Sequence, residues 1–327
     1  MKIAYVSPGL KPCGGIRILI EHVNRLARRG HDISLVVPRV RRPDWITVDV
    51  PVMSVQAAQK ADSFDAVVAT GYQTVNTASH ISARRRFWFV QMAEWEFHKP
   101  DTTRYCRVLD TYPLAKKQNF HVITISRWVQ QEMWQRWKIE SEYVDNAVNR
   151  KDFYPDRPEG RLNAILIEGD ARNCAKDVDG ISWRVAKELR CKYGVELWGY
   201  AALHHDNASG FDKFLAHVNA NQMREIYSQA LFLLKASRFD ARACAPVEAM
   251  ACGTTCARAI IRGDDDLIND QNCLRTRYDY DDLLEAARRL MEDEALRRRL
   301  EENALAYADT YLRWDPIIDR LEKIYAA

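Results

Sequence analysis

Residues 230–253 read ALFLLKASRFDARACAPVEAMACG, and this stretch decides the fold. The apolar run Ala230-Leu231-Phe232-Leu233-Leu234 has the length and composition of a strand buried in a parallel sheet. Smaller and polar residues follow from Ser237 to Ala243, and Pro246 then stands where the first residue of a helix tolerates proline. The order is strand, loop, helix. In open α/β sheets such a loop lies at the carboxyl end of a strand, where the unpaired amides of the next helix attract anions, phosphate especially. Two carboxylates, Asp240 and Glu248, stand eight positions apart around this helix opening. Glu248 is expected in the first helical turn, where an ionised carboxylate accepts hydrogen bonds from paired hydroxyls such as those of a ribose. A purely structural alternative stands beside it: Asp240 pairs with Arg238 or Arg242, and Glu248 offsets the helix dipole.

The same alternation extends outward in both directions. Ile3-Ala4-Tyr5-Val6 reads as a strand, and a loop through Gly14-Gly15 follows. Ile16 to Arg29 carries apolar residues at Ile16, Leu19, Ile20, Val23, Leu26 and Ala27, a helical spacing that closes at Gly30. His31 to Val37 is the next strand, which completes a Rossmann-like βαβ unit. Strand-like runs recur at 66–69, 87–90 and 121–125, the last leading into Ser126 as N-cap of a helix through Trp137. Asp156 to Arg161 has the proline and charge of a linker, which places a domain boundary near residue 150. Beyond it the pattern restarts with a strand from Leu162 to Ile167, a helix from Ile181 to Leu189 and a strand from Gly194 to Trp198 closed by Gly199. The fold class is α/β with two Rossmann-like domains.

A chain of 327 residues with 47% hydrophobic content is long enough for two cores and argues against disorder. The absence of a long apolar run or secretory signal leads to an expectation of a cytoplasmic protein. Eight cysteines without a C-x2-C pair read as free thiols, and His204-His205 as a solvated turn, not a metal site. No G-x-G-x-x-G opens either half, which argues against a dehydrogenase. Net charge is +3, but residues 1–150 hold 22 basic and 14 acidic residues (+8), leaving 26 and 31 (−5) for the remainder. The clusters Arg39-Val40-Arg41-Arg42 and Arg84-Arg85-Arg86 therefore suggest an anionic partner, either a membrane surface with its lipid-linked phosphates or, as second choice, nucleic acid. Solvated loop ends are the plain alternative.

Asp240, Glu248 and the run Ala249-Met250-Ala251-Cys252-Gly253 resemble the Glu-x7-Glu signature of retaining glycosyltransferases with the GT-B fold, family 4 in particular. The Gly14-Gly15 loop, the Arg29-Gly30-His31 passage and Tyr143 to Pro155 are similar to corresponding family segments. The resemblance implies two Rossmann-like domains facing each other across a cleft: an acceptor domain at 1–150 and a nucleotide-sugar donor domain at 151–312. A C-terminal helix at 313–327 crosses back to the first domain. It implies a sugar moved, with retention, from a nucleotide diphosphate sugar to an acceptor hydroxyl of an envelope glycan or lipid-linked molecule, at the inner membrane face. Arg172, Lys176 and Asp240 take the catalytic places, and Gly14, Gly15, Gly199, Ala243, Cys244 and Glu248 the donor-binding ones. Arg17, Gln91, Glu94 and His98 stand on the acceptor side. No cofactor or metal is expected, because family members rely on side chains. The chain departs from the pattern where Asp240 replaces glutamate and Ala241-Arg242-Ala243 replaces Gly-Phe-Gly. Arg172 and Lys176 are spaced by four instead of five, and Asp177 replaces a glycine. A modified DNA base as acceptor, or a binder without catalysis, stays open.

Overall fold

The structure, a computed structural model, describes residues 1–157, 160–168, 176–201, 208–216 and 218–327. They form two compact units, Met1–Asn146 with Asp315–Ala327, and Ala147–Trp314.

The first unit runs β1 (Lys2–Val6), α1 (Gly14–Arg28), β2 (Asp32–Val37), β3 (Val52–Ser54), α2 (Val55–Lys60), β4 (Phe64–Ala69), α3 (Tyr72–Ser79) and β5 (Ala83–Val90). A 3-10 turn at Glu94–Phe97, α4 (Thr103–Lys117), β6 (Phe120–Thr124), α5 (Arg127–Trp137) and β7 (Ser141–Tyr143) follow. All strands pair in parallel, in the order β3-β2-β1-β4-β5-β6-β7. The apolar spacing of α1 buries Leu19, Ile20, Val23 and Leu26 on the sheet, and each such burial is worth about 1.5–3 kcal/mol. Two local expectations shift here. The helix starts at Gly14, so the glycine pair forms its first turn and not a loop, with extended Cys13 as the cap residue. Ser126 does precede α5, but its hydroxyl makes no capping hydrogen bond.

In the second unit come β8 (Ala164–Glu168), α6 (Ile181–Tyr193), β9 (Glu196–Ala201), β10 (Lys213–Ala216), α7 (Ala220–Gln229) and β11 (Phe232–Phe239). They are followed by α8 (Cys244–Ala251), β12 (Cys256–Arg262), β13 (Leu274–Thr276), α9 (Tyr280–Glu292) and α10 (Glu294–Tyr311). Among the described residues the sheet order is β10-β9-β8-β11-β12-β13, again parallel throughout, with an apolar cluster on each face. The segment expected as a linker is pinned to this unit. Arg157 donates to the Gly253 carbonyl at 3.1 Å, and Arg161 bonds the Ser228 carbonyl at 3.1 Å and Glu301 at 3.0 Å. The reason is that its arginines close the backbone carbonyls around Gly253, whose φ is +71°.

The last helix, α11 (Trp314–Ala326), packs within the first unit. Tyr325 is fully buried there, its hydroxyl 2.7 Å from that of Tyr5, and Glu322 pairs with Arg29 at 2.9 Å. Among the described residues no helix is long and apolar enough to cross a membrane. The described cysteines are free thiols.

The two arginine clusters stand at opposite ends of the parallel strands of the first sheet, Arg39 and Arg41 beyond the carboxyl end of β2 and Arg84–Arg86 in the opening half of β5. Arg42 is tied to the carbonyl of Val48 and Arg85 to that of Tyr325, both at 2.6 Å. They do not merge into one stripe.

Candidate functional site

The order of the second sheet reverses between β8 and β11, and in open α/β sheets the ligand crevice lies beyond the carboxyl ends of the strands at such a point. Lys176 follows β8 and Asp240 follows β11, so both fall at that edge. The structure brings them into direct contact. The Lys176 ammonium donates to Asp240 Oδ1, and Arg258 Nη2 donates to Asp240 Oδ2 at 2.8 Å. Asp240 is fully buried. Its partners are therefore neither Arg238, which is exposed, nor Arg242, which turns to Asp266 in a second buried pair.

Further charges complete the cluster. Arg258, fully buried, also holds Asp264 Oδ2 at 2.7 Å, and Lys235 inside β11 pairs with Glu168 at the end of β8. Four cations (Lys176, Lys235, Arg242, Arg258) thus meet four carboxylates (Glu168, Asp240, Asp264, Asp266). An unpaired buried charge costs several kcal/mol, so the pairing is what lets a strand carry Lys235 and Arg258 at all. Burial alone would raise the Asp240 carboxyl, but Lys176, with Lys235 and Arg258, overrides it and holds the carboxyl well below its usual range. Burial also lowers the Lys235 ammonium, opposed by Asp240.

Several expected ligand groups are occupied from within. The Ala243 amide donates to Asp264 Oδ1 at 2.7 Å, so the helix-start donor expected to face diphosphate is already satisfied. Cys244, half-buried, is the first residue of α8, Pro246 its third, and Glu248 its fifth, in the second turn and not the first. Proline is tolerated at the third position because the first four amides of a helix have no intrahelical acceptor. Glu248 is buried and accepts the hydroxyl of Tyr227 at 3.3 Å, which itself lies 3.5 Å from that of Tyr200 at the end of β9. Asp177, where the resemblance calls for glycine, caps α6: its two oxygens accept the Ile181 and Ser182 amides, each at 3.0 Å. Gly199 lies inside β9 and does not close it; a Cβ there would stand 2.6 Å from the Phe211 ring, so packing demands the glycine. Arg172 and His204-His205 lie outside the described residues.

At the carboxyl edge of the first sheet the structure joins other candidates. Gln91 Nε2 donates to the Gly15 carbonyl at 3.1 Å, and its side chain lies 3.4 Å from where a Gly15 Cβ would stand. Glu94 follows β5 and accepts the Tyr72 amide at the start of α3 at 3.0 Å, while His98 meets the Tyr72 ring edge-on at 6.4 Å. Gly14 lies beside Gly15 in the first turn of α1, and Arg17, half-buried, two residues further along. Trp88 and Trp95, considered for stacking on a sugar, are core residues packed on Tyr112.

Burial raises the Glu94 carboxyl to about 7, against the lowering effect of the Tyr72 amide. The folded state then binds its proton more tightly than the unfolded chain, so stability falls as pH rises from about 4.5 to 7 and levels above that. Glu94→Gln, which keeps an acceptor for the Tyr72 amide, removes this dependence. We expect the variant to match the parent near pH 4.5 and to exceed it by about 1–3 kcal/mol at pH 8, read from denaturant unfolding. Parallel stability curves for the two proteins would show that Glu94 titrates normally.

Sequence reading passed over Lys235, Arg258, Asp264 and Asp266. The available signal was a cation inside each of two strand-like runs, LLKAS and CARAI, with Asp264-Asp265-Asp266 just beyond the second. Among the described residues no group of three His, Cys, Asp or Glu side chains is disposed to hold a metal ion.

With this geometry in hand, comparison with known proteins places the fold. Residues 211–306 match the family model of glycosyl transferases, group 1. HepE of Anabaena, crystallised with UDP and glucose, superposes with a TM-score of 0.82 at 16% identity, over 100% of both chains. Sucrose-phosphate synthase of Thermosynechococcus elongatus gives 0.79 at 16% identity, over 99% of this chain and 98% of that one. A glycosyltransferase from Rickettsia africae gives 0.75 at 13% identity, over 99% and 97%. The fold is theirs. The expectation of two Rossmann-like parallel-sheet domains of the GT-B kind is met. No curated protein sequence matches the chain.

Proposed function

We propose that the chain is a retaining glycosyltransferase that moves a hexosyl or pentosyl group from a nucleotide diphosphate sugar to an acceptor hydroxyl. The observation that carries this reading is the Lys176–Asp240 pair at the switch point of the second sheet, with Asp240 inside the segment that matches the glycosyl transferase family model. A sugar nucleotide leaves as a diphosphate, so the main chemical demand is to meet negative charge developing on phosphate. Lys176 retains 22% side-chain exposure, against 1% for its partner, so the ammonium is the member of the pair that reaches incoming phosphate. Asp240 orients it from the place that the family resemblance gives to the acid beside the transferred sugar, and Glu248 with Tyr227 and Tyr200 anchors the nucleoside. Arg172 adds charge by resemblance alone. The chemistry needs no metal.

The acceptor side falls to Gln91, Glu94, His98 and Arg17 on the first unit. A lipid-linked or envelope acceptor at the cytoplasmic membrane face is supported by the surface of α4 and α5. Trp134 is 49% exposed there with the Lys138 ammonium 5.4 Å from its ring, and the Lys116 ammonium reaches the carbonyls of Trp137 and Lys138 at the same helix end. A second reading, a sugar-nucleotide binder without turnover, draws on the internally satisfied Ala243 amide and the complete burial of Asp240.

A thermal-shift screen with UDP, GDP, ADP, dTDP and CDP sugars tests the donor. One nucleotide at about 100 times its dissociation constant stabilises by about 2.7 kcal/mol, a shift of several degrees. Slow donor hydrolysis with the α-anomer released first, followed by NMR, supports retaining transfer; binding with no hydrolysis and no transfer to any acceptor supports the second reading. No shift with any sugar nucleotide sinks both. Sedimentation with anionic but not zwitterionic vesicles supports the membrane-side acceptor, and salt-sensitive binding to duplex DNA instead favours nucleic acid.

A further inference from the structure

We propose that Arg258 is the positioning residue of this site, holding Asp240 and the Asp240–Ala243 loop in register where the loop lacks glycines. The proposal rests on the glycosyltransferase reading above. Arg258 lies within β12, opposite Lys235 of β11 and Arg275 of β13 in the sheet register. It is fully buried, and removing a guanidinium from water is costly unless its donors are met. They are met by two acids from different segments: Asp240 Oδ2 at 2.8 Å, and Asp264 Oδ2 at 2.8 Å from Nε and 2.7 Å from Nη2. The other oxygen of Asp264 accepts the Ala243 amide at 2.7 Å. A closed path results, from Arg258 to Asp240, along the loop backbone to Ala243, and back through Asp264.

The path divides the labour of Asp240 between its two oxygens. Oδ1 takes Lys176 from the ligand side and Oδ2 takes Arg258 from inside the sheet. When Lys176 is drawn toward phosphate, Asp240 keeps an ionic partner and its orientation. A lysine at 258 offers a point charge and no fork, so it satisfies one of the two acids but not both. Among the described residues the charged groups facing Asp240 are Lys176 ahead of α6, Lys235 on β11 and Arg258 on β12, with Asp264 beyond; loss of Arg258 removes one of the cations that keep the carboxyl ionised.

The test uses the full chain with UDP-glucose, GDP-mannose and ADP-glucose as probes, measuring nucleotide affinity, donor hydrolysis and its pH profile. R258M leaves the Asp264 carboxylate without its arginine, takes one cation from Asp240 and is at risk of not folding, so the informative variant is the pair R258M/D264N, which keeps an acceptor for the Ala243 amide. For it we expect nucleotide affinity within about threefold of the parent and turnover lower by roughly 10²-fold, the cost of a misplaced group in a preorganised site. The acid limb of its profile moves to higher pH, because Asp240 has lost a cation. R258K recovers part of the turnover. Turnover of R258M/D264N within threefold of the parent overturns the proposal. So does a loss in all variants that tracks the unfolded fraction while the acid limb stays in place. A parent chain that neither binds nor hydrolyses any of the three probes, nor any other donor in the screen above, fails the glycosyltransferase reading itself and is thereby distinguished.

Discussion

Replacing Lys176 with alanine is expected to lower turnover by roughly 10²- to 10³-fold while changing nucleotide affinity far less, since its charge acts on phosphate as the bond to the sugar breaks. The ammonium is the exposed end of an otherwise buried ion-pair chain, so its loss leaves Asp240 with Arg258 and Lys235 behind it. Folding therefore survives: the melting temperature drops by a few degrees at most, which corresponds to about 1 kcal/mol in a unit of this size. Single-turnover donor hydrolysis, with circular dichroism on the same samples, separates the two effects. Hydrolysis within threefold of the parent would remove Lys176 from the chemistry, and a collapse in melting temperature would make it structural.

Asp240→Ala is expected to have the largest effect on stability. Removing one member of a buried ionic cluster leaves the others uncompensated, a loss of about 3–5 kcal/mol and hence of roughly 10 °C or more in melting temperature. Lys176 regains water, but Arg258 stays fully buried with one acid in place of two. The sign with pH follows from the depressed carboxyl. Its stabilisation is complete above the unfolded value of about 3.9 and is lost as pH falls through the lower folded value. The gap between parent and variant therefore holds constant from pH 5 to 8 and closes only in strong acid. A melting temperature within 2 °C of the parent at pH 7, or a gap that closes between pH 5 and 7, would be incompatible with the cluster described.

How much of this was legible beforehand differs by kind of residue. Alternating apolar runs and helical spacing disclosed both Rossmann-like halves, because burial on a sheet imposes a period that the order of residues displays directly. The strand-loop-helix reading of residues 230–253 likewise located the edge where Asp240 stands, with the helix placed slightly off. Gly199 was misread because its need for a small side chain comes from Phe211, a neighbour twelve positions on and just ahead of β10. Asp177 looked like a departure from a ligand loop and is a helix cap. The partners of Asp240 were sought nearby, at Arg238 and Arg242, whereas they are 64 positions before it and 18 after.

The order of residues by itself determined the fold class, the edge of the second sheet on which the charged site lies, and the identity of Asp240 as a candidate, since these follow from periodicity and local chemistry; Lys176 entered through the family resemblance. Only the tertiary structure decided which charges neutralise one another, that Asp264 takes the Ala243 amide, and that Arg258 stands behind Asp240. The physical reason is that a buried charge is tolerable only with a partner at hydrogen-bond distance, and parallel strands bring such partners together from sequence separations that no local pattern records.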